Sequence, residues 1–430
     1  MEFETTSLGS GVSLHLYRAP QFKTLSLLTA WRVELDPQQV TSVAMIPSLL
    51  RRGTRSFPTA QVLARRCEEL YGCRLSARVQ KLGEQQLWWM ALDLPHPRYM
   101  GDGETLAGAV QVLQELLWDP VLEGWAFRRD YVEEEREVMR RALRARFNHK
   151  ATWANLRCVE EMCAGERYAL HPLGREEDLS ALDPASLYAT YRRVLRSGQQ
   201  DIFVVGDWEE AGVGLARDLA WPPAGSAGES LTRAPAVPEA LHIKPARAQP
   251  REVVERQSVS QGKLAIGLRT TVTMAHTLYP ALLFYDGLLG RYSHSKLFVN
   301  VREKEGLAYY ANSILDAVKG ILLIVAGIDP ETYARTRDTA LAQLEMLRRG
   351  EISEQEWGAT HRSLRSEIST WADDPGSLAW GMMQGLVCGY YFSPSALVRE
   401  LDMVTRDQVV EVAEQVRPDT VYFLTGEEPR

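Results

Sequence analysis

The sequence predicts an α+β fold of two similar domains, each a mixed sheet with helices on one face. The chain has 430 residues, more than a single domain usually holds. Residues 221–250 contain six prolines and no sustained periodicity, which is typical of an extended linker. The sequences on either side show the same succession of strand and helix patterns. We therefore predict domains at 1–221 and 241–430, joined by a linker at 222–240.

Hydrophobic periodicity assigns the elements of both domains. In the first half, apolar or alternating runs predict strands at 12–17, 25–31, 75–79 and 86–92, and helical spacing predicts helices at 36–50, 59–71 and 133–146. In the second half the predicted strands are 263–269, 309–315 and 320–327, and the predicted helices are 275–289 and 295–303. Residues 375–398 carry no charge but are too rich in Gly, Ser and Pro for a membrane span, so we expect a buried helix.

Matched spacings favour an internal duplication. The segment from Asp93 to Tyr99 and the segment from Asp329 to Tyr333 both precede a predicted helix. The two tyrosines are 234 residues apart, and Trp125 lies 232 residues before Trp357. The alternative, that any two α+β domains share such a rhythm, stays open on the sequence alone.

Composition excludes several functional classes. A net charge of −7 offers no broad attraction for nucleic acid or for an anionic membrane surface. The first residues lack the basic start and apolar stretch of a secretory signal, so we expect a cytoplasmic protein. Five cysteines without CxxC spacing indicate reduced thiols rather than a disulfide framework.

The motifs of several common enzyme classes are absent from the sequence. It contains no GxSxG nucleophile elbow, no phosphate-binding GxxxxGK[ST] loop and no GxGxxG at a helix start. Eight histidines are present, but no two lie three or four residues apart, which is the spacing that places two imidazoles on one metal ion. The sequence therefore predicts no metal site in this chain.

The segment 287–313 has the most specific pattern. Its helix ends in a charged run before Gly306, and a strand follows, so that Arg302 and Tyr309 flank the turn. A guanidinium and a phenol can both donate hydrogen bonds to a carbonyl or an oxyanion. The residues alone leave a second interpretation open, in which Arg302 pairs with Glu303 or Glu305 at the surface and Tyr309 only packs.

The run from Ser295 to Tyr309, SKLFVNVREKEGLAY, resembles the C-terminal-domain signature of the pitrilysin/insulinase metallopeptidases, S-x-L-F-x-x-[VI]-R-E-x-x-G-L-A-Y. The resemblance extends to the duplicated halves and the linker, and it implies one half of a peptidase clamshell. In that family the arginine and tyrosine bind the carbonyl of the scissile peptide. The resemblance therefore implies that Arg302 and Tyr309 contact substrate.

The zinc motif of the same family is lost. The family's HxxEHxxxxGT helix aligns through its tail with Arg51–Thr54, which places Ala44, Pro47 and Ser48 at the first histidine, the glutamate and the second histidine. The remaining glutamate ligand aligns with Ala142. Alanine has no donor atom, proline offers only a carbonyl and a serine hydroxyl is a poor zinc ligand.

The resemblance therefore implies the non-catalytic subunit of a heterodimeric zinc endopeptidase. An HxxEH-bearing homologous partner would hold the zinc, and this chain would bind no cofactor. Arg302 and Tyr309 would complete the partner's site in trans, on a peptide that binds extended along a sheet edge that the sequence does not specify. Two alternatives stay open: a peptide-binding or scaffold protein without a role in hydrolysis, and a homodimeric hydrolase with unforeseen ligands.

Overall fold

A computed structural model describes residues 2–9, 11–100, 104–208, 210–220 and 242–426. The chain forms two compact units. The first contains the described residues of 1–144, 170–238 and 373–383, and the second contains those of 145–169, 239–372 and 384–430. Residues 145–169 of the predicted first domain thus belong to the second unit, and residues 373–383 of the predicted second domain belong to the first. We call these two the exchanged segments. The domain boundaries themselves stay a prediction. The predicted linker at 222–240 lies outside the described residues.

Both units contain strands and helices. The strands are β1 (Glu4–Gly9), β2 (Val12–Arg18), β3 (Thr24–Glu34), β4 (Arg74–Leu82), β5 (Gln85–Pro95), β6 (Leu122–Glu123), β7 (Ala126–Phe127), β8 (Gln199–Gly206), β9 (Arg251–Arg256), β10 (Gly262–Arg269), β11 (Ala308–Asp316), β12 (Ile321–Ile328) and β13 (Arg417–Thr425). The α-helices are α1 (Val40–Leu50), α2 (Ala60–Glu69), α3 (Glu104–Trp118), α4 (Arg129–Asn148), α5 (Lys150–Met162), α6 (Pro184–Ser197), α7 (Glu210–Arg217), α8 (Tyr279–Asp286), α9 (Tyr333–Arg348), α10 (Glu354–Trp371), α11 (Pro375–Cys388), α12 (Pro394–Asp402) and α13 (Arg406–Gln415). The π-helices are π1 (Gly287–Arg291) and π2 (Leu297–Lys304), and short 3₁₀ turns cover Pro97–Tyr99, Arg167–Ala169, Glu177–Ala181 and Pro330–Thr332.

The two main sheets share one topology. In the first unit the strand order is β1-β2-β8-β3-β5-β4, and in the second it is β11-β12-β10-β13-β9. Read from the opposite end, the second order matches β2-β8-β3-β5-β4 strand for strand. The parallel pairs also correspond, since β2 runs parallel to β8 and β9 runs parallel to β13, whereas the other neighbours are antiparallel. This agreement confirms the predicted duplication and the mixed sheets.

Helices cover the core face of the first sheet. Successive side chains of a strand point to opposite faces, and along β3 the core receives Leu25, Leu27 and Trp31. Helix α1 lies in this core with nearly all of its residues buried, together with apolar side chains of α3 and α6. The predicted arrangement of helices on one face of a mixed sheet is therefore present.

Each exchanged segment adds a helix on the other face of a sheet. In the second unit, Cys158 and Met162 of α5 pack against β10, where a Cβ atom at Gly267 would lie 2.7 Å from the Met162 sulfur. Every residue of β12 is buried, as expected for a sheet covered on both faces. In the first unit, Trp380 of α11 contacts Trp89 on the face away from the core.

Local glycine and proline chemistry accounts for the differences from the predicted elements. The predicted helix at 275–289 is α8 followed by π1, and the predicted buried helix at 375–398 is two helices, α11 and α12. Gly389, with φ of +73°, follows α11, and Pro394 opens α12. Within the described residues no helix is long and apolar enough to cross a membrane. All five cysteines are buried and free in the structure.

Candidate functional site

The three positions predicted to correspond to the HxxEH motif lie on α1. Ala44 and Pro47 are buried, whereas Ser48 is exposed. The helix continues through Pro47, whose carbonyl accepts a hydrogen bond from the Arg51 amide at 3.3 Å. Because proline has no N–H, the carbonyl one turn earlier loses its usual helical donor. None of the three side chains presents a nitrogen, thiolate or carboxylate to a metal ion.

The tail of the motif has a structural role instead. Gly53 has a φ of +154°, and a Cβ atom there would meet the Phe57 carbonyl oxygen at 2.6 Å, so glycine is required for the turn. The Thr54 hydroxyl donates to Glu115 at 2.8 Å and accepts the Phe57 amide. The contacts of this turn thus come from backbone and from Thr54 and Glu115, without a metal ion.

Helix α4 carries Ala142, the residue predicted to correspond to the remaining glutamate ligand of the zinc. Arg52 joins it to the end of α1, because its Nε donates to Glu135 at 2.5 Å and its Nη1 donates to Glu134 at 2.6 Å. Ala142 lies about two turns beyond Glu135 on α4 and is exposed. Across the described parts of the chain, no three His, Cys, Asp or Glu side chains form a group able to hold a metal ion. The residues present at the family's zinc positions therefore do not fit zinc.

Arg302 lies on π2 in the second unit. Its guanidinium lies over the Phe298 ring, 4.5 Å from the centroid, and its Nη1 is 3.7 Å from a Glu303 carboxylate oxygen. Glu305, the other acid considered as a partner, pairs with Arg335. With 39% of the side chain exposed, the long contact to Glu303 contributes little. Most of the guanidinium donors of Arg302 therefore face solvent.

Tyr309 lies at the start of β11, across one turn from Arg302. Gly306 ends π2 with a φ of +61°, and the Leu307 amide then donates to the Val301 carbonyl at 3.0 Å. The register between β11 and β12 shifts between Ala308 and Tyr310, so Tyr309 occupies a bulge. Its side chain is 67% exposed. One closed turn thus carries both residues, and both side chains reach the surface.

The strand that carries Tyr309 rests on closely packed backbone. A Cβ atom at Gly290 in π1 would lie 2.4 Å from the Ser313 amide nitrogen of β11. The Ser313 hydroxyl donates to the buried carboxylate of Asp286 at 2.6 Å, and Arg291 donates to the other oxygen at 3.0 Å. Burial raises the pKa of Asp286, and Arg291 opposes that shift. π-Helical turns often accompany functional sites, and in this chain they hold β11 in place.

The structure also shows a cavity of about 540 Å³ on the far face of the first sheet, a feature that the sequence interpretation missed. Residues from strands β3, β4 and β5 and from the start of α11 line it. The available signal was the alternation Arg74, Ser76, Arg78 and Gln80 in a predicted strand, with polar side chains on one face.

Comparison with known proteins identifies the family. A family model described as "Peptidase M16 inactive domain" matches residues 181–364, a range that contains Arg302 and Tyr309. The chain is 33% identical over 426 residues to the "Probable inactive metalloprotease YmfF" of Bacillus subtilis, and the match covers 99% of this chain and 98% of that protein. The chain belongs to the M16 peptidase family.

Other relatives and solved structures agree with this placement. The chain is 22% identical over 407 residues to the "Antilisterial bacteriocin subtilosin biosynthesis protein AlbE" of Bacillus subtilis, covering 93% of this chain and 96% of that protein. A crystal structure of a conserved protein from Enterococcus faecalis V583 matches with a TM-score of 0.90 and 28% identity over the whole of both chains. The predicted peptidase-family resemblance is confirmed, and the chain is of the family's inactive type.

Proposed function

We propose that this chain is the non-catalytic subunit of a heterodimeric zinc endopeptidase. It contributes Arg302 and Tyr309 to the active site of a partner that carries HxxEH. The main support for this proposal is the contrast between the two units. The first has no metal ligand at any of the four zinc positions, yet the second keeps an arginine and a tyrosine exposed on one closed turn.

The proposed chemistry needs only hydrogen-bond donors from this chain. When water adds to a peptide carbonyl carbon, negative charge collects on the former carbonyl oxygen. The Arg302 guanidinium and the Tyr309 hydroxyl are suited to donate to that oxygen, since neither has a close polar partner among the described residues. The partner supplies the metal and the activated water. This chain orients the peptide and stabilises the oxyanion.

The substrate class is an extended peptide. Both sheets have antiparallel strands with a free outer edge in the described structure, β1 and β4 in the first unit and β11 in the second. An extended peptide can add to such an edge through backbone hydrogen bonds. The five free cysteines suit a reducing compartment, so we place this function in the cytoplasm.

The test uses the chain reconstituted with an HxxEH-bearing homologue. Arg302→Ala and Tyr309→Phe each remove one donor to the oxyanion, and loss of one such donor lowers kcat by about 10²–10³-fold. Arg349→Ala and Tyr391→Phe are matched controls, because both residues are exposed in the same unit and lie away from the turn. Complex formation is measured in parallel by size-exclusion chromatography.

Three possible results separate the alternatives. A fall in kcat with unchanged assembly supports the proposal. If all four variants turn over peptide at the wild-type rate, the assignment of Arg302 and Tyr309 is wrong. If the two chains assemble but never hydrolyse peptide, the scaffold interpretation replaces the proposed function.

A further inference from the structure

The cavity of the first unit lies beside a free sheet edge. Its volume is about 540 Å³, and β4 forms one side of it. No described strand pairs with the outer edge of β4. A peptide that extended the sheet at this edge would therefore place every second side chain at the mouth of the cavity.

Two cations without an acidic partner line the cavity. Arg74 and Arg78 both come from β4 and project to the same face, about 13 Å apart along the strand. Within the described structure Arg74 makes no ion pair or hydrogen bond, and Arg78 makes only a cation–π contact, 5.6 Å from the Trp89 ring centroid. By contrast, Arg52 of the same unit pairs with both Glu134 and Glu135.

The carboxylates at the cavity already accept hydrogen bonds from the protein. Asp93 lies opposite Arg74 in the β4–β5 register, but its Oδ1 accepts the Ser26 hydroxyl at 2.6 Å and the two charges form no ion pair within 4 Å. Asp374 accepts the Ser377 amide at 2.6 Å in the first turn of α11. Neither carboxylate forms an ion pair, but each accepts a hydrogen bond from the protein, whereas the two guanidinium groups donate none within the described structure.

The aromatic wall of the cavity offers a further donor. Trp89 is 5% exposed, and its indole N–H has no acceptor among the described residues. Trp380 packs against it with a centroid separation of 5.4 Å. The groups at this site that lack a polar partner among the described residues are thus two guanidinium groups, one indole N–H and one acceptor, the side-chain oxygen of Gln80. Donors outnumber acceptors, and a carboxylate is the peptide group that matches the two guanidinium groups best.

We propose that this cavity binds carboxylates of an acidic peptide segment that adds to the free edge of β4. The proposal rests on the peptide-binding role proposed above and narrows the substrate class to acidic segments. Side chains four residues apart on an extended peptide point to the same face, so two acids at that spacing reach Arg74 and Arg78 together. A free C-terminal carboxylate could supply the same chemistry to one of the arginines.

The test measures binding of short peptides to the full chain by isothermal titration calorimetry. Two N-acetylated, C-amidated peptides of equal composition carry a pair of glutamates, either four or three residues apart. A third peptide has no acidic side chain but a free C-terminus. The peptide with glutamates four apart should bind about tenfold more tightly than the peptide with glutamates three apart, because only the former can engage both guanidinium groups.

Variants assign the effect to the cavity. Arg74→Gln combined with Arg78→Gln should abolish the difference between the two acidic peptides. Arg65→Gln, which neutralises an exposed arginine outside the cavity, should preserve it. Tightest binding by the peptide with the free C-terminus would identify the terminal carboxylate as the ligand.

The outcomes distinguish this inference from the proposed function. Equal affinity for all three peptides overturns the carboxylate site and leaves peptide binding intact. Preserved spacing selectivity in the double arginine variant also overturns it. If no peptide binds, both this inference and peptide binding by the isolated chain are wrong.

Discussion

A buried charge cluster in the first sheet gives a quantitative prediction for Asp201→Asn. Asp201 lies on β8 with its side chain almost fully buried. It accepts a hydrogen bond from Arg32 Nε at 2.7 Å, and its other oxygen is 3.0 Å from His15 Nε2. These contacts tie β8 to its two neighbours, β2 and β3.

The pH dependence follows from the pKa of this carboxyl. Burial alone would raise the pKa of Asp201, but the charge of Arg32 and the hydrogen bond from His15 outweigh burial and lower the pKa from 3.8 to about 2. Because the pKa is lower in the folded state, the stabilisation is fully present above about pH 4 and is lost as the pH falls towards 2. The difference corresponds to about 2 kcal/mol.

The substitution should cost more than that at neutral pH. Asparagine keeps the shape but leaves the buried Arg32 guanidinium without a counter-charge, and breaking a buried pair in this way costs about 3–5 kcal/mol. Asp130→Asn is the matched control, since Asp130 pairs with Arg128 at 2.5 Å on the surface. An exposed pair contributes at most about 1 kcal/mol.

Urea-dependent hydrogen exchange of peptides from β8 measures the free energy of unfolding of this unit alone. The expected results are a loss of about 3 kcal/mol or more at pH 7 for Asp201→Asn and a smaller loss of stability between pH 4 and pH 2 than in the wild type. A destabilisation no larger than that of Asp130→Asn, or an unchanged acid dependence, would refute the reasoning.

Two further predictions concern the support of Tyr309 and the missing metal. Gly290→Ala should destabilise the second unit by more than about 2 kcal/mol, because the added Cβ atom would lie 2.4 Å from the Ser313 amide nitrogen. Thermal unfolding measures the loss of stability, with Gly358→Ala as the control. A fall in melting temperature no larger than that of Gly358→Ala would contradict the prediction. The purified chain should hold far less than one zinc per molecule, and a chelator should leave its melting temperature unchanged. Elemental analysis showing stoichiometric zinc would contradict this and would favour the homodimeric hydrolase.

Sequence periodicity was sufficient for the local elements of the fold. The alternation in β4 and β11 and the apolar runs of β10 and β12 predict these strands to within three residues at each end, because at least one face of each strand packs against the core. The matching order of the two sheets also follows from the duplication, whose spacing the tyrosines at 99 and 333 indicate.

The features that periodicity missed depend on tertiary contacts. Helix α5 looks like any amphipathic helix, and its buried residue Cys158 gives no sign that it packs on strands more than 100 residues away. Gly290 lies in π1, where the backbone of β11 approaches it closely. Neither contact leaves a local pattern in the sequence.

The residues of the candidate site and of the cavity also differ in how far the sequence alone could predict them. The spacing of Arg302 and Tyr309 across a glycine turn is local, so the sequence was sufficient to predict that both flank one turn, whereas their role stays a prediction. The cavity beside β4 brings together Arg74, Asp93 and Trp380, which are far apart in the chain. No motif joins residues at such separations, and only the folded sheet places them on one face.

The most direct test of the central claim is a titration of this chain into a fixed amount of an HxxEH-bearing homologue, with peptide hydrolysis as the readout. We expect neither chain alone to turn over peptide at an appreciable rate, and we expect activity to rise and saturate at one copy of this chain per partner. A partner whose activity is complete without this chain, and does not change on its addition, would contradict a role for Arg302 and Tyr309 in trans.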